Sequence, residues 1–432
     1  MTLTNAASPL AGALARNVSG PVLHPGDSGF TEELAGFQLG LQHRPDLVVG
    51  ARDSADVRAV LRLAAAQGVP VTVHNTGHGM RFAAHGGIVL TLRRLNAVVI
   101  DPDARTARVG GGVTWDQVVT AASPYALVPP SGSLGCVGAV GYVFGGGISL
   151  LGRSDGWASD LVRSFTVVTP DGEEREVGPD DTGAFARLRG SGPSGGEVVT
   201  GMTIGLLPEG PLVGGGLTFD IGATSGEGDP AVLHAFREWT DAGLPEALTP
   251  TLRVMSFPNL DFLPPSLRGR RIARVAVALR GSAEEAEQLV APLRKAARPI
   301  EETLAPMRFT EGARVHAEPD DPGPYIGENI LVDALDPAAL DSLAGAGGPA
   351  MVIMNIRHLG GALARPAAAP DTVQGRDARF LLAAVSPVDP IVSLTNPAAA
   401  HNTSSPGWAL EPFAAAKVGV SPGFCVGPRA RG

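Results

Sequence analysis

The segment at residues 70–80 constrains this chain more than any other. An apolar strand at 71–74 runs directly into a polar loop of small residues at 75–79, and the loop carries His78. Glycine lets a backbone approach a ligand without a Cβ clash, and successive backbone N–H groups can bind phosphates. Residues 138–147 are also dense in glycine and could form a second wall. The two segments predict a dinucleotide cradle, although glycine-rich loops are more often plain turns.

Composition limits the class of protein. The 432 residues are too many for one ordinary core, so two domains are expected. The hydrophobic fraction of 44% allows a sizeable core. The net charge of -9 argues against nucleic acid or an anionic membrane as a main partner. The two cysteines, Cys136 and Cys425, have no metal-site spacing and are too few for a disulfide framework, so no metal site is expected.

Targeting signals are not visible in the sequence. No apolar run approaches the roughly 18 residues that a membrane-spanning helix needs. Residues 1–19 lack a basic stretch followed by an apolar one, which is the pattern of a secretory signal. We therefore expect a cytoplasmic protein with no membrane partner.

The order of the predicted elements indicates an α+β chain in three segments. Residues 1–210 begin with a loop-like stretch over 1–40 and continue with short strands and helices. They end at a segment of turn-forming residues, Pro-Glu-Gly-Pro at 208–211. Residues 211–390 alternate strand-like segments with amphipathic helices, which predicts an antiparallel sheet backed by helices. Residues 391–432 are expected to be truncated or divergent.

Five ordered motifs resemble those of the FAD-linked oxidases of the berberine-bridge-enzyme and 6-hydroxynicotine-oxidase type, in the vanillyl-alcohol-oxidase/PCMH superfamily. The family's V-R-x-G-G-H loop reads Val-His-Asn-Thr-Gly-His here, and its V-G-x-x-G-x-x-x-G-G-G segment is matched fully. The resemblance is good over residues 20–210 and loose over 211–390. In chain order the motifs are residues 73–78, 137–147, 153–160, 167–172, and 188–192 with 198–200.

The resemblance implies a PCMH-type FAD-binding domain followed by a substrate domain. In the family, the loop histidine is bonded through its ring to the flavin 8α-methyl, and by position that residue is His78. The alternative is a loop histidine that only forms hydrogen bonds. The residues that the resemblance implies as FAD contacts are His74, Asn75, Thr76, Gly77, His78, Gly79, Leu134, Val137, Gly138, Gly141, Gly145 and Val199.

Some family members carry a second flavin link from a cysteine in G-x-C-P-x-V-G. Aligning the two motifs places Leu134 at the cysteine position, and Cys136 comes two residues later. We therefore expect Cys136 to be a small buried apolar residue, and FAD to have one covalent link at most.

Other departures from the family pattern concern charge and backbone. His74 stands where the family has arginine, so it is a weaker fixed charge for the pyrophosphate near neutral pH. Thr76 stands where the family has glycine and must accept that residue's backbone angles. The family's C-terminal tyrosine element has no match, because the chain's three tyrosines are Tyr125, Tyr142 and Tyr325.

The resemblance implies that a hydride passes from a small organic substrate to flavin N5, and that O2 reoxidises the flavin. The catalytic base is not assigned. Candidates are His358, Asn355 and Arg357, and the first two would face opposite sides of a strand. Tyr142 is expected to pack near the cradle. A flavin-binding protein without turnover and a non-covalent FAD dehydrogenase are the two alternatives to an oxidase.

Overall fold

The computed structural model describes residues 9–80, 82–261, 263–345, 352–387 and 410–419. Helices and mainly antiparallel strands are mixed along this length, which confirms the α+β class. The segment at 391–432, expected to be truncated or divergent, lies outside the described residues except at 410–419. In the described parts of the chain, no helix combines the length and the apolar character that crossing a bilayer requires.

The first half of the chain contains eleven described strands and seven α-helices. The strands are β1 Val22–Leu23, β2 Leu47–Gly50, β3 Val71–His74, β4 Ile88–Thr91, β5 Val98–Asp101, β6 Thr106–Gly110, β7 Leu127–Val128, β8 Val162–Val168, β9 Glu174–Val177, β10 Val198–Gly205 and β11 Leu207–Pro208. The helices are α1 Pro9–Asn17, α2 Phe30–Leu34, α3 Ser54–Ala66, α4 Trp115–Ala122, α5 Ala139–Val143, α6 Gly152–Asp155 and α7 Thr182–Leu188.

Two sheets organise this half. In the four-stranded sheet, ordered β1-β2-β4-β3, the last three strands are parallel and β1 is antiparallel to β2. The five-stranded sheet, ordered β5-β6-β10-β8-β9, is antiparallel throughout. Each sheet buries an apolar face against helices, the first against α1 and α3 and the second against α4, α5 and α7.

One sequence-based expectation for this half is wrong. The stretch 1–40 is not all loop, because α1 and α2 lie within it; Leu10 and Leu14, four residues apart, bury one face of α1. Asp53 caps α3, since the Asp53 carboxylate accepts a hydrogen bond from the backbone N–H of Asp56.

The second half of the chain is built around one large sheet. Its strands are β12 Leu212–Ala223, β13 Leu248–Ser256, β14 Arg270–Arg280, β15 Glu301–Glu302, β16 Ala305–Pro306, β17 Tyr325–Val332, β18 Val352–His358, β19 Phe380–Pro387 and β20 Lys417–Gly419. Its helices are α8 Ala231–Asp241, α9 Ala283–Ala296, α10 Ala313–His316 and α11 Pro337–Gly345. Short 3-10 helices occur at Ser123–Tyr125, Ala158–Leu161, Phe309–Glu311, Gly361–Ala364 and Glu411–Ala416.

The nine-stranded sheet is antiparallel, with the order β15-β12-β14-β13-β18-β19-β17-β20 and β16 also paired to β12. One face packs against α8, α9 and α11 around an apolar core, so the predicted sheet backed by helices is confirmed. The other face meets the first half, where Ala276 and Ala278 of β14 pack with Leu150 and Leu151. The chain passes from one half to the other between β11 and β12; the exact domain division at 210 stays a prediction.

Candidate functional site

The loop after β3 needs glycine at two positions. Gly77 has φ 77° and Gly79 has φ 66°, in the left-handed region that favours glycine. A Cβ on Gly77 would lie 3.0 Å from the Cα of Gly36, so the loop also packs too closely for a side chain there. Thr76 is not among the residues with a positive φ, so its substitution for glycine imposes no left-handed strain.

The segment around Gly138 forms the opposite wall. Gly138 precedes α5, and a Cβ on it would lie 2.9 Å from the side-chain nitrogen of Asn75. The Asn75 amide in turn donates a hydrogen bond to the carbonyl of Gly111, at 3.3 Å. The loop after β3 and the start of α5 are therefore in direct contact, as a cradle made from the two segments requires.

A cavity of about 290 Å³ lies between these walls and β10. Gly141 faces open space, because a Cβ on it would meet nothing within 4 Å. Ten of the twelve residues proposed as FAD contacts line the cavity: His74, Asn75, Thr76, Gly77, His78, Gly79, Val137, Gly138, Gly141 and Val199. Their contact with FAD stays a prediction.

The structure does not bring the other two, Leu134 and Gly145, to this cavity. Leu134 begins a turn in which its carbonyl accepts a hydrogen bond from Val137 N–H, and this turn presents Cys136 to the site instead. Gly145 lies beyond the end of α5, in the turn closed by the bond from Gly146 N–H to the Val143 carbonyl.

A second cavity of about 520 Å³ adjoins the first at Asn75, Thr76 and His78. Its other lining residues include Cys136 and Asp320. His78 therefore lies where the two cavities adjoin. An elongated cofactor such as FAD fits this arrangement, because its dinucleotide part can lie in the glycine-lined cavity while its ring system reaches His78.

The His78 ring is held on three sides. Its Nδ1 lies 3.0 Å from the Thr76 hydroxyl oxygen, and its Nε2 lies 3.6 Å from the Cys136 sulfur. Phe37 stacks on the ring with a centroid separation of 4.0 Å. Burial lowers the pKa of His78 to about 4, so the ring is neutral near pH 7 and one nitrogen keeps a free lone pair.

Cys136 differs from its expected role. It is only partly buried, lines the larger cavity and contacts His78, so it is not a simple buried apolar residue. The family alignment favours Leu134 for this position because it compares sequence spacing and carries no information on the turn at 134–137. Burial raises the pKa of the Cys136 thiol, with nearby Asp116 adding to the effect, so the thiol stays protonated near neutral pH.

His74 is buried beneath the loop. It is 2% exposed, and its ring meets that of His43 edge to face at 5.5 Å. Burial, with a smaller contribution from His43, lowers the pKa of His74 to about 4. His74 therefore offers no positive charge to a pyrophosphate near pH 7. Among the described residues that line the smaller cavity there is also no lysine or arginine, which leaves backbone N–H groups as the phosphate donors.

The candidate residues on β18 lie on two different faces of the sheet, as expected. Asn355 and Arg357 share the face that meets the first half, whereas His358 is 7% exposed on the core side, where its ring lies 5.2 Å from that of Phe380. Burial lowers the pKa of His358 to about 3, so this ring is a neutral core residue. Tyr142 packs edge to face on Trp115 at 5.6 Å and donates a hydrogen bond to the Ile148 carbonyl, as its packing role predicts.

A polar network that the sequence did not indicate joins the two halves beside the site. Arg253 donates to Asn355 Oδ1 at 2.9 Å and to Glu318 Oε1 at 2.8 Å. Ser133, on the segment that carries Cys136, donates to Glu318 Oε2 at 2.8 Å. Burial alone would raise the pKa of Glu318, but the neighbouring His316, Arg253 and Arg357 and the Ser133 hydrogen bond together lower it. Glu318 lies in the half with loose resemblance, where no motif marks it.

Comparison with known proteins agrees with this geometry. Residues 45–178 match an FAD binding domain family. Over 311 residues the chain is 30% identical to (R)-6-hydroxynicotine oxidase of Paenarthrobacter nicotinovorans, and the match covers 70% of this chain and 64% of that protein.

The folds of solved flavoproteins are similar over nearly the whole chain. The crystal structure of 6-hydroxy-D-nicotine oxidase from Arthrobacter nicotinovorans has a TM-score of 0.75 at 23% identity, covering 98% of this chain and 91% of that one. Glucooligosaccharide oxidase from Acremonium strictum, described with a 6-S-cysteinyl, 8α-N1-histidyl FAD, has a TM-score of 0.77 at 16% identity, with 97% and 91% covered.

The fold and the matched region define an FAD-binding protein with the PCMH-type architecture. The chain is similar in sequence to 6-hydroxynicotine oxidase and in fold to a berberine-bridge-enzyme-like protein. It spans less than two thirds of the length of the curated relatives that it matches, 64% of the nicotine oxidase and 34% of the FAD-dependent monooxygenase FUP4 of Fusarium proliferatum.

Proposed function

We propose that this protein oxidises a small organic substrate with covalently bound FAD and uses O2 as the electron acceptor. The observation that carries the proposal is the pair of cavities that meet at His78, one lined by glycines and the other bordered by Asp320 and Pro322 of the second half, in the loop before β17. When bound, FAD supplies the chemistry: it accepts a hydride from a substrate carbon and passes the electrons to O2.

The chain's own residues have three tasks in this proposal. The loop at 75–79 and the segment at 137–141 hold the dinucleotide part through backbone donors. The His78 ring, kept neutral by burial, carries the covalent link to the flavin 8α carbon. Phe37 stacks on the face of the His78 ring and limits the orientations that this ring can adopt.

One link is proposed, not two. The Cys136 thiol lies close enough to the His78 ring to reach the same part of a flavin, but its raised pKa keeps it protonated, and the thiol is a far weaker nucleophile than the thiolate. We propose that residues 1–210 form the FAD-binding domain and residues 211–390 the substrate domain, so that substrate binds between the sheet and the flavin.

Substitution of Gly141 tests the cradle. Leucine at Gly141 would fill the open space of the smaller cavity, whereas leucine at Gly183, an equally unobstructed glycine in α7, changes an exposed position that does not line the cavity. We expect stoichiometric flavin in the wild type and in Gly183→Leu, and little or none in Gly141→Leu at unchanged circular dichroism. Equal flavin content in the two variants would contradict the proposed cradle.

Reoxidation tests the acceptor. After anaerobic photoreduction, the flavin should regain its oxidised spectrum rapidly when O2 is admitted, with formation of hydrogen peroxide. Fast reoxidation only by an artificial acceptor would instead support the FAD dehydrogenase. A bound flavin that no tested alcohol, amine or sugar bleaches would support the flavin-binding protein without turnover.

A further inference from the structure

A short segment between α2 and β2, residues 36–40, connects the loop after β3 with the second half of the chain. It runs parallel to the residues just before β17. Leu39 N–H donates to the Gly323 carbonyl at 3.1 Å, and Gly323 N–H donates to the Phe37 carbonyl at 3.0 Å. This pairing sets the side chain of Gln38 against the start of β17.

The Gln38 side chain completes the pairing. It is 5% exposed, and its Nε2 donates to the Tyr325 carbonyl at 2.8 Å. Its Oε1 accepts from Tyr325 N–H at 3.3 Å and from Gly40 N–H at 2.8 Å. The amide thus bonds to both backbone groups of the first residue of β17, as a neighbouring strand would. A carboxylate can only accept and an ammonium can only donate, so an amide suits this position.

The other side of the segment contacts the loop that carries His78. Phe37 N–H donates to the Thr76 carbonyl at 2.8 Å, and the Phe37 ring stacks on His78 with an angle of 21° between the planes. At Gly36 the backbone lies so close that an added Cβ would be 3.0 Å from Nε2 of His74. Because packing this tight leaves little free space, a shift of the segment would move the His78 ring.

Tyr325 reaches the same contacts through its ring. The ring lies edge to face with Phe37, with the two centroids 6.1 Å apart. Burial raises the pKa of Tyr325 to about 12, although a hydrogen bond with the Gly79 backbone acts in the opposite direction, so the hydroxyl stays protonated near neutral pH. The start of β17 therefore meets Gln38, Phe37 and the loop after β3 together.

We infer that Gln38 is a positioning residue for flavin attachment, because it ties the segment that carries Phe37 to the second half and so fixes the His78 ring. This inference rests on the proposed function, since it concerns the covalent link at His78. Gln38 acts through Phe37 and does not itself touch the flavin. Attachment then depends on the docking of the two halves, although the cradle lies in the first half.

The chemistry of the link explains why orientation matters. The link replaces one C–H bond of the flavin 8α methyl group and the N–H bond of the His78 ring with a C–N bond. The two hydrogens, as two electrons and two protons, pass to the flavin and then to O2, which becomes hydrogen peroxide. Bond formation is fast only when the ring nitrogen is held close to the reacting carbon at a suitable angle.

Gln38→Glu separates positioning from a general loss of structure. It keeps the shape and the accepted bonds, but a carboxylate cannot donate to the Tyr325 carbonyl. Attachment, followed by intact mass after FAD is added to flavin-free protein, should be about 5- to 10-fold slower than in the wild type near pH 8. Burial should raise the pKa of the new carboxyl above about 4.3, so protonation should restore the donor and the relative rate as the pH falls to about 5.5.

Two further variants make the test specific. Gln42→Glu is the matched control, because Gln42 is exposed and bonds to Arg44 at the surface; it should attach flavin at the wild-type rate at each pH. Phe37→Leu removes the stacked ring and should slow attachment by a similar factor, with no recovery in acid.

The outcomes distinguish the two proposals. A Gln38→Glu rate equal to that of the wild type near pH 8, or a slow rate that acid does not restore, overturns the inference alone. So does a Phe37→Leu protein that attaches flavin as fast as the wild type. A wild-type protein that forms no covalent link overturns the proposed function, and this inference with it.

Discussion

The sulfur of Cys136 lies 3.6 Å from Nε2 of His78, at the junction of the two cavities. The opposite ring nitrogen, Nδ1, lies 3.0 Å from the Thr76 hydroxyl. The ring is thus oriented by two side chains that the sequence comparison treats as departures from the family pattern. The loop at 75–79 and the turn at 134–137 place these two side chains against His78. Removing either side chain tests what it contributes to His78.

Thr76 should control how quickly the covalent link forms. Thr76→Val keeps the branched shape but removes the hydroxyl that fixes Nδ1. Losing one neutral hydrogen bond should raise the activation free energy of attachment by about 1 kcal/mol, so attachment should be about fivefold slower. Intact mass followed after FAD is added to flavin-free protein gives the rate. Thr76→Ser should restore it, and a Thr76→Val rate equal to that of the wild type would exclude an orienting role.

Arg153 should stabilise the junction of the two halves. It is 4% exposed and donates to the carbonyls of Leu248 at 2.8 Å, Leu244 at 3.0 Å and Leu359. Arg153→Met would leave these buried carbonyls without a donor and should lower the free energy of unfolding by about 3 kcal/mol.

Urea denaturation followed by circular dichroism measures this loss. The control is Arg175→Met, where the arginine is 44% exposed and paired with Asp181 on the surface; it should change the stability by less than about 1 kcal/mol. Equal stability of the two variants would show that Arg153 does not hold the halves together.

Acid should destabilise the protein partly through His74. Its folded-state pKa of about 4 lies below the ordinary 6.5, because burial disfavours the charged ring. Protonation therefore favours the unfolded chain, so this contribution is fully present above pH 6.5 and is lost as the pH falls toward 4. The lowered pKa of His74 contributes up to about 3 kcal/mol to the free energy of unfolding at neutral pH.

The variant His74→Asn should weaken the pH dependence of the urea midpoint between pH 7 and about 4.5 without abolishing it, because His78 is buried in the same way. His24→Asn, in the turn before α2, serves as the control and should keep the wild-type slope. A His74→Asn slope as steep as that of the wild type would refute the assignment.

Local sequence signals predicted much of the fold. β3 has the predicted bounds, 71–74, and the predicted antiparallel sheet backed by helices is present. The missed elements depend on tertiary contacts. α1 is short and gains its stability by burying Leu10 and Leu14 on α3, and β17 pairs with β19 across a long sequence separation.

The candidate site was predictable only where one short segment carries it. The loop at 75–79 and Gly138 were predictable because glycines in short segments mark them, and the structure places them around one cavity. Glu318 and Arg253 meet Ser133 only because the sheet packs against the first half, so no local pattern marks them. Cys136 replaces Leu134 at the site because a turn, not the motif spacing, decides which side chain faces the cavity.

The most direct test of the account is whether flavin stays on the protein after denaturation. Wild type, His78→Ala and Cys136→Ala are denatured in acid, and intact mass and in-gel flavin fluorescence are recorded for each. The account predicts one added FAD mass on the wild type and on Cys136→Ala, and none on His78→Ala. Flavin retained by His78→Ala, or released from the denatured wild type, would contradict the link to His78.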